Sequence, residues 1–114
     1  MSEQERQSVP DSHIVAITTI DSEEAAEALA DGLVKDRLAA CVQISSAIRS
    51  VYRWEGEVQR DAEWQLWIKT TSDRLDELTA WLDEHHTYGV PELVALPVVG
   101  GNPAYLKWVI DETR

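Results

Sequence analysis

The chain has 114 residues, which is room for one domain around one hydrophobic core and no space for a second. Twenty-one acidic against ten basic residues give a formal net charge of -11, which repels phosphate backbones and argues against nucleic acid as a partner. The apolar runs are too short to span a membrane, the opening MSEQERQSVPDSH lacks the apolar stretch of a signal peptide, and Cys41 is the single cysteine, so a cytoplasmic protein without disulfides is expected.

Residues 1–12 are polar and read as a flexible tail, leaving 13–114 as a single folded domain. Ile14 to Thr19 is apolar and β-branched, which suits a buried strand. Asp21 and Glu24 stand in capping-box spacing and open a helix that places Leu29, Leu33 and Val34 on one side, backed by Ala25 and Ala26, and ends near Arg37. Residues 39 to 71 then read as one long hairpin. From Ala40 to Trp54 the even positions (Ala40, Val42, Ile44, Ser46, Ile48, Ser50, Tyr52, Trp54) alternate with mostly polar odd ones such as Gln43, Ser45, Arg49 and Arg53. After Glu55-Gly56, Ala62, Trp64, Leu66, Ile68 and Thr70 alternate with Glu63, Gln65, Trp67, Lys69 and Thr71. Such period-two alternation marks strands with one buried face.

A strand of about 15 residues at ~3.3 Å each reaches ~50 Å. A compact domain of this size has a radius of gyration near ~13 Å and is only about 35 Å across. The hairpin therefore overhangs its own domain, and an unpaired edge of that length needs a partner, most simply another copy of the chain. Downstream, Ser72 is placed to cap a helix carrying Leu75, Leu78 and Leu82, which Gly89 and Pro91 break. Leu93 to Val99 forms another apolar strand, Gly100-Gly101 turns the chain, and Asn102-Pro103 starts a last helix with Leu106, Val109 and Ile110. The order β-α-β-β-α-β plus a terminal helix is the α+β, ferredoxin-like arrangement, with two helices on one face of an antiparallel sheet.

The histidines are His13, His85 and His86. His85 and His86 are neighbours where the second helix should end, so on a helix they point about 100° apart, and both read as surface residues that gain from the helix dipole without any ligand. A neutral imidazole there also suits copper, zinc or nickel if a second subunit or a carboxylate completes the site. No HxxxH, CxxC or HExxH spacing occurs, and there is no GxSxG, Walker loop or GxGxxG, so neither a structural zinc nor an enzyme is expected. Cys41 reads as a small buried hydrophobe. Tyr52, Trp54, Glu63, Trp67, Lys69, Tyr88 and Glu92 mix aromatic and charged groups on the hairpin and on the segment before the last strand. That mixture suits a subunit interface, a small-ligand cleft, or a cleft between subunits.

These residues also carry a resemblance. RLAACVQI (37–44), SVYRWEGEVQ (50–59), LWIKTT (66–71), HHTYGVPELVALPV (85–98) and YLKWV (105–109) occur in the order found in the CutA divalent-ion tolerance family, which the chain resembles over almost everything after residue 13. The resemblance implies a ferredoxin-like subunit in a homotrimer whose long hairpin strands pair across subunits, cytoplasmic and non-enzymatic, responding to divalent metals and binding copper weakly. It also implies an architecture like that of PII signalling proteins, so the alternative is a signalling or scaffold trimer that takes a small molecule or a partner protein in its inter-subunit cleft. His85 and His86 match the family's metal-binding histidines, whereas its cysteine ligand position falls at Thr18, a poorer donor for a soft metal. The usual HPY motif reads His86-Thr87-Tyr88, without the stiffening proline.

Overall fold

Fifteen consecutive residues, Glu57–Thr71, form the strand on which the other elements are ordered. The computed structural model describes residues 12–114. In chain order the elements are β1 (His13–Ile20), α1 (Glu23–Lys35), β2 (Cys41–Ile44), β3 (Ile48–Trp54), β4 (Glu57–Thr71), a 3₁₀ turn (Ser72–Arg74), α2 (Leu75–His85), β5 (Val94–Pro97) and α3 (Pro103–Glu112). The sheet runs β2-β4-β1-β5 with every pairing antiparallel, and β3 pairs with the outer half of β4. This is the α+β arrangement expected from the order of elements. The tail expected over residues 1–12 lies, but for Ser12, outside the described residues.

The two faces of the sheet differ because β1 and β4 pair even with even, from Ile14 opposite Thr70 to Ile20 opposite Trp64. Ala16, Ile20, Leu66 and Ile68 point to one side and pack with Ala26, Leu29 and Leu33 of α1 and Leu78 and Leu82 of α2. Burying each large aliphatic side chain contributes about 1.5–3 kcal/mol, and a one-residue slip would turn the whole set to solvent, so the register is strongly fixed. The third helix lies on the opposite face. His13 Nε2 donates to the Leu106 carbonyl at 2.7 Å, and the Arg114 guanidinium reaches Thr71 Oγ1 at 2.9 Å. The rest of that face leaves Trp67, Val94 and Leu96 exposed.

The hairpin departs from the expected uninterrupted strand Ala40–Trp54. Ile44 stands opposite Leu66, but Ile48 stands opposite Glu63, so three residues of one strand face two of the other. The extra residue is a β-bulge, and it reverses which parity faces which side. Val42 and Ile44 share the helix-covered face with Ile68 and Leu66, whereas Ile48, Ser50, Tyr52 and Trp54 share the open face with Glu63, Asp61, Gln59 and Glu57. Ser45 holds the break: its N–H donates to the Gln65 carbonyl at 2.9 Å, and its hydroxyl accepts the Gln65 N–H at 3.0 Å. Beyond this point β3 and β4 pair only with each other and turn through Glu55 (φ 50°) and Gly56 (φ 82°), the two left-handed positions of a type I′ turn. The ribbon makes the chain 48 Å long against 28 and 25 Å across and leaves Val51, Trp54 and Val58 more than half exposed.

Smaller corrections have local causes. The α1 cap is Ser22, not Asp21, its hydroxyl accepting the Ala25 N–H at 3.1 Å. That start turns Ala30 inward and leaves Val34 exposed, and α1 stops at Lys35, two residues early, with Arg37 left-handed at φ 59°. Ser72 begins a 3₁₀ turn instead of capping α2 directly, β1 extends to His13 and Ile20, and β5 is trimmed to Val94–Pro97.

Replacing Ser45 with alanine removes the acceptor of the Gln65 N–H in a part-buried ladder. We expect it to lower stability by about 1 kcal/mol, read as a shift of the urea midpoint at unchanged slope.

Candidate functional site

The bulge carries the even side chains of β3 to the open face, and Gly89 and Pro91, after α2, bend the chain back over the same region. Together they enclose a cleft of about 830 Å³ between the hairpin ribbon, the end of β1 and residues 88–92. Its lining includes Thr19, Asp21, Tyr52, Trp54, Asp61, Glu63, Tyr88 and Glu92, with four carboxylates and no lysine or arginine among the described residues. Glu63 is only 7% exposed, and its carboxylate accepts the Tyr88 phenol at 2.8 Å. The Tyr52 phenol donates to Asp61, and the Thr19 hydroxyl donates to Glu92 at 3.4 Å. Burial, then the hydrogen bond to Glu63 and the surrounding negative charge, raises the Tyr88 pKa far above the usual phenol range. The bond to Asp61 raises that of Tyr52.

The two adjacent histidines have separate surroundings. His86 is 7% exposed, not the surface residue expected at a helix end. Its Nε2 lies 2.8 Å from the Thr19 carbonyl and its Nδ1 lies 3.0 Å from the Tyr88 N–H. A carbonyl only accepts and an amide N–H only donates, so the ring is the neutral Nε2–H tautomer and its one lone pair is occupied. The His86 ring also meets that of Tyr88 at 4.6 Å. His85 is exposed, stacks on Trp81 at 4.0 Å, and uses Nδ1 on the Trp81 carbonyl at 2.8 Å, leaving Nε2 without a hydrogen-bond partner among the described residues. Thr18, at the cysteine ligand position, is fully buried on the helix-covered face, and its hydroxyl has no hydrogen-bond partner. Among the described residues no three His, Cys, Asp or Glu side chains gather as a metal site. The described donors therefore do not fit a resident copper ion: of the two adjacent rings only His85 Nε2 lacks a hydrogen bond, and no further His, Cys, Asp or Glu side chains gather around it to complete a site.

Of the residues anticipated for the cleft, Tyr52, Trp54, Glu63, Tyr88 and Glu92 come together. Trp67 and Lys69 lie farther along β4 on the same open face, where the Trp67 indole donates to Gln65 at 3.0 Å and Lys69 stands opposite Cys41. The sequence reading missed Asp61, Thr19 and Asp21. Asp61 sits two residues from Glu63 on the same strand face, and strand periodicity alone would have found it. Thr19 and Asp21 reach the cleft only through the β1–β4 register.

A ferredoxin-like sheet with an overlong hairpin and a cleft at its base defines a class of small α+β proteins. Within that class the chain belongs to the CutA1 divalent ion tolerance protein family, whose profile matches residues 14–112. It is 48% identical over 101 residues to Protein CutA 1, chloroplastic, of Oryza sativa, covering 89% of this chain and 57% of the relative. It is 46% identical over 99 residues to the divalent-cation tolerance protein CutA of Thermus thermophilus, covering 87% of this chain and 96% of that one. The chain thus spans little more than half the length of the plant relatives. Among solved structures, CutA1 from Oryza sativa superposes with a TM-score of 0.88 at 48% identity, covering 90% of this chain and 94% of that one.

Tyr88 gives the cleft a pH signature. Its folded pKa is raised, so the neutral phenol stabilises the fold fully below the unfolded value of about 10, and that contribution is lost as pH climbs from there toward the folded value. Tyr88→Phe should cost about 1 kcal/mol at neutral pH, and its urea midpoint should fall less steeply above about pH 10 than that of the parent protein. Parallel alkaline limbs would mean that another group controls the transition.

Proposed function

We propose that the chain acts as a non-enzymatic cytoplasmic homotrimer in the tolerance of divalent metal ions, meeting copper only weakly and at a single imidazole, that of His85. The observation that carries this reading is the state of the two rings: the His86 lone pair is taken by the Tyr88 N–H, while the exposed His85 bonds only through Nδ1. Family membership supports the role in metal tolerance, and Trp67, Val94 and Leu96 on the open sheet face together with the unpaired ribbon supply surface for subunits to bury. The charged phenol–carboxylate lining also supports a second reading, in which a small molecule or a partner protein occupies the cleft once it is closed by a neighbouring subunit.

Calorimetric titration with copper(II) tests the metal assignment. The parent protein should bind at high micromolar concentration or weaker, His85→Ala should abolish the signal, and His86→Gln should leave the affinity within about twofold. Tight binding that needs both histidines would overturn it. The second reading expects a metabolite that raises the melting temperature equally with and without EDTA.

A further inference from the structure

The face of the hairpin ribbon that continues the helix-covered side of the sheet is cationic. Its cross-strand pairs are Arg49 with Ala62, Val51 with Arg60 and Arg53 with Val58. Each rung thus sets one guanidinium beside one small aliphatic side chain, and the arginines alternate between the two strands. Diagonal neighbours of this kind lie ~7–8 Å apart, and four residues along one strand, from Arg49 to Arg53, span ~13 Å. All six residues are exposed, Val51 and Val58 by more than half. Among the described residues none of the three arginines forms an ion pair. Arg53 donates to the Gly56 carbonyl at 3.3 Å, and no hydrogen bond engages Arg49 or Arg60.

The bounds of this face limit what it can take. Glu23 and Glu27 of α1 line the surface at the base of the ribbon beside Ser45 and Trp64, and Glu55 occupies the turn at its tip. The cationic run therefore starts and stops within three rungs. A long polyanion would meet carboxylates at both ends, on a chain of net charge -11. A nucleic-acid strand also needs rings to stack on, and the ribbon's rings, Tyr52 and Trp54, lie on the reverse. A lipid surface needs large apolar anchors, which alanine and valine do not supply. A short extended peptide meets each condition. Its alternate side chains repeat every ~6.6–7 Å on one face, as the rungs do. A carboxylate at each of three such positions reaches one guanidinium in the forked geometry, with its methylenes against the neighbouring aliphatic group. We propose that this face of the ribbon, on the reverse of the cleft, docks an extended acidic segment of another protein that carries Asp or Glu at i, i+2 and i+4. The contact uses neither the histidines nor the cleft.

Fluorescence anisotropy on the full chain tests this with a labelled nine-residue peptide, threonine throughout but for three glutamates spaced two residues apart. The parent protein should bind it weakly, in the manner of transient contacts, and at least about threefold more tightly than a peptide of the same composition with glutamates three residues apart. Arg60→Gln should weaken binding about fivefold, and glutamine at all three arginine positions should abolish it. Lys35→Gln, an exposed change at the end of α1 with the same effect on net charge, should leave binding within about twofold. Circular dichroism and the urea midpoint should show each variant folded as the parent protein is, because every substituted side chain is exposed. No binding by the parent protein, equal binding of the two peptides, or equal losses from Lys35→Gln and Arg60→Gln would overturn the proposal. Tighter binding of a thymidine nonanucleotide or of phosphatidylserine vesicles, lost with Arg60→Gln, would overturn it too and assign the face to phosphates.

Discussion

Opposite the continuous strand β4, the chain from Cys41 to Trp54 carries one residue more than its partner, and the surplus is absorbed between Ile44 and Ile48. On the core side of that point the even residues of the broken strand lie under helices and contribute to burial. On the far side the even residues are Tyr52 and Trp54, and they lie over the open face. One register defect therefore separates a part of the hairpin that stabilises the subunit from a part whose aromatic and charged groups meet solvent or a neighbour. The Ser45 hydroxyl, standing in for a missing backbone carbonyl, lets the ladder cross the defect with the Gln65 N–H still bonded.

Much of this was legible in the residues. Leu66 and Ile68 in strict alternation, Leu78 and Leu82 on one helix face, and Asn102-Pro103 before the last helix each speak through local physics, and the fold follows from their order. The hairpin length was legible for the same reason, since rise per residue needs no tertiary information. The parity reversal was not, because Ser46 continues the even pattern and small polar residues in a strand signal a bulge only weakly. His86 was misjudged for a related reason. A histidine at a helix end belongs on the surface unless another element covers it, and here the end of β1 offers the Thr19 carbonyl from 67 residues away in sequence.

The adjacent histidines show how little sequence adjacency says about shared chemistry. One ring lies flat on Trp81, whose indole donates to Asp36 of the α1 C-cap at 2.9 Å, so it belongs to the packing between the two helices. The same indole fills the space beside Gly32, where an added Cβ would come within 2.6 Å of it. The other ring ties the end of β1 to the segment carrying Tyr88, and so sets one wall of the cleft. Among the described residues the buried Glu63 takes its hydrogen bond from the Tyr88 phenol, with no arginine or lysine in the cleft lining.

The type I′ turn at Glu55-Gly56 has a consequence for how the ribbon can vary. Past Ile48 and Glu63 each residue of the ribbon pairs only with its opposite number, so its length is independent of everything packed beneath the helices. Removing or adding two residues on each strand would shorten or extend it by ~7 Å while keeping every side chain on its present face. A change of one residue per strand would exchange the faces beyond that point. Reach and facing are therefore separately adjustable, the first in steps of two and the second in steps of one, and neither adjustment disturbs the core.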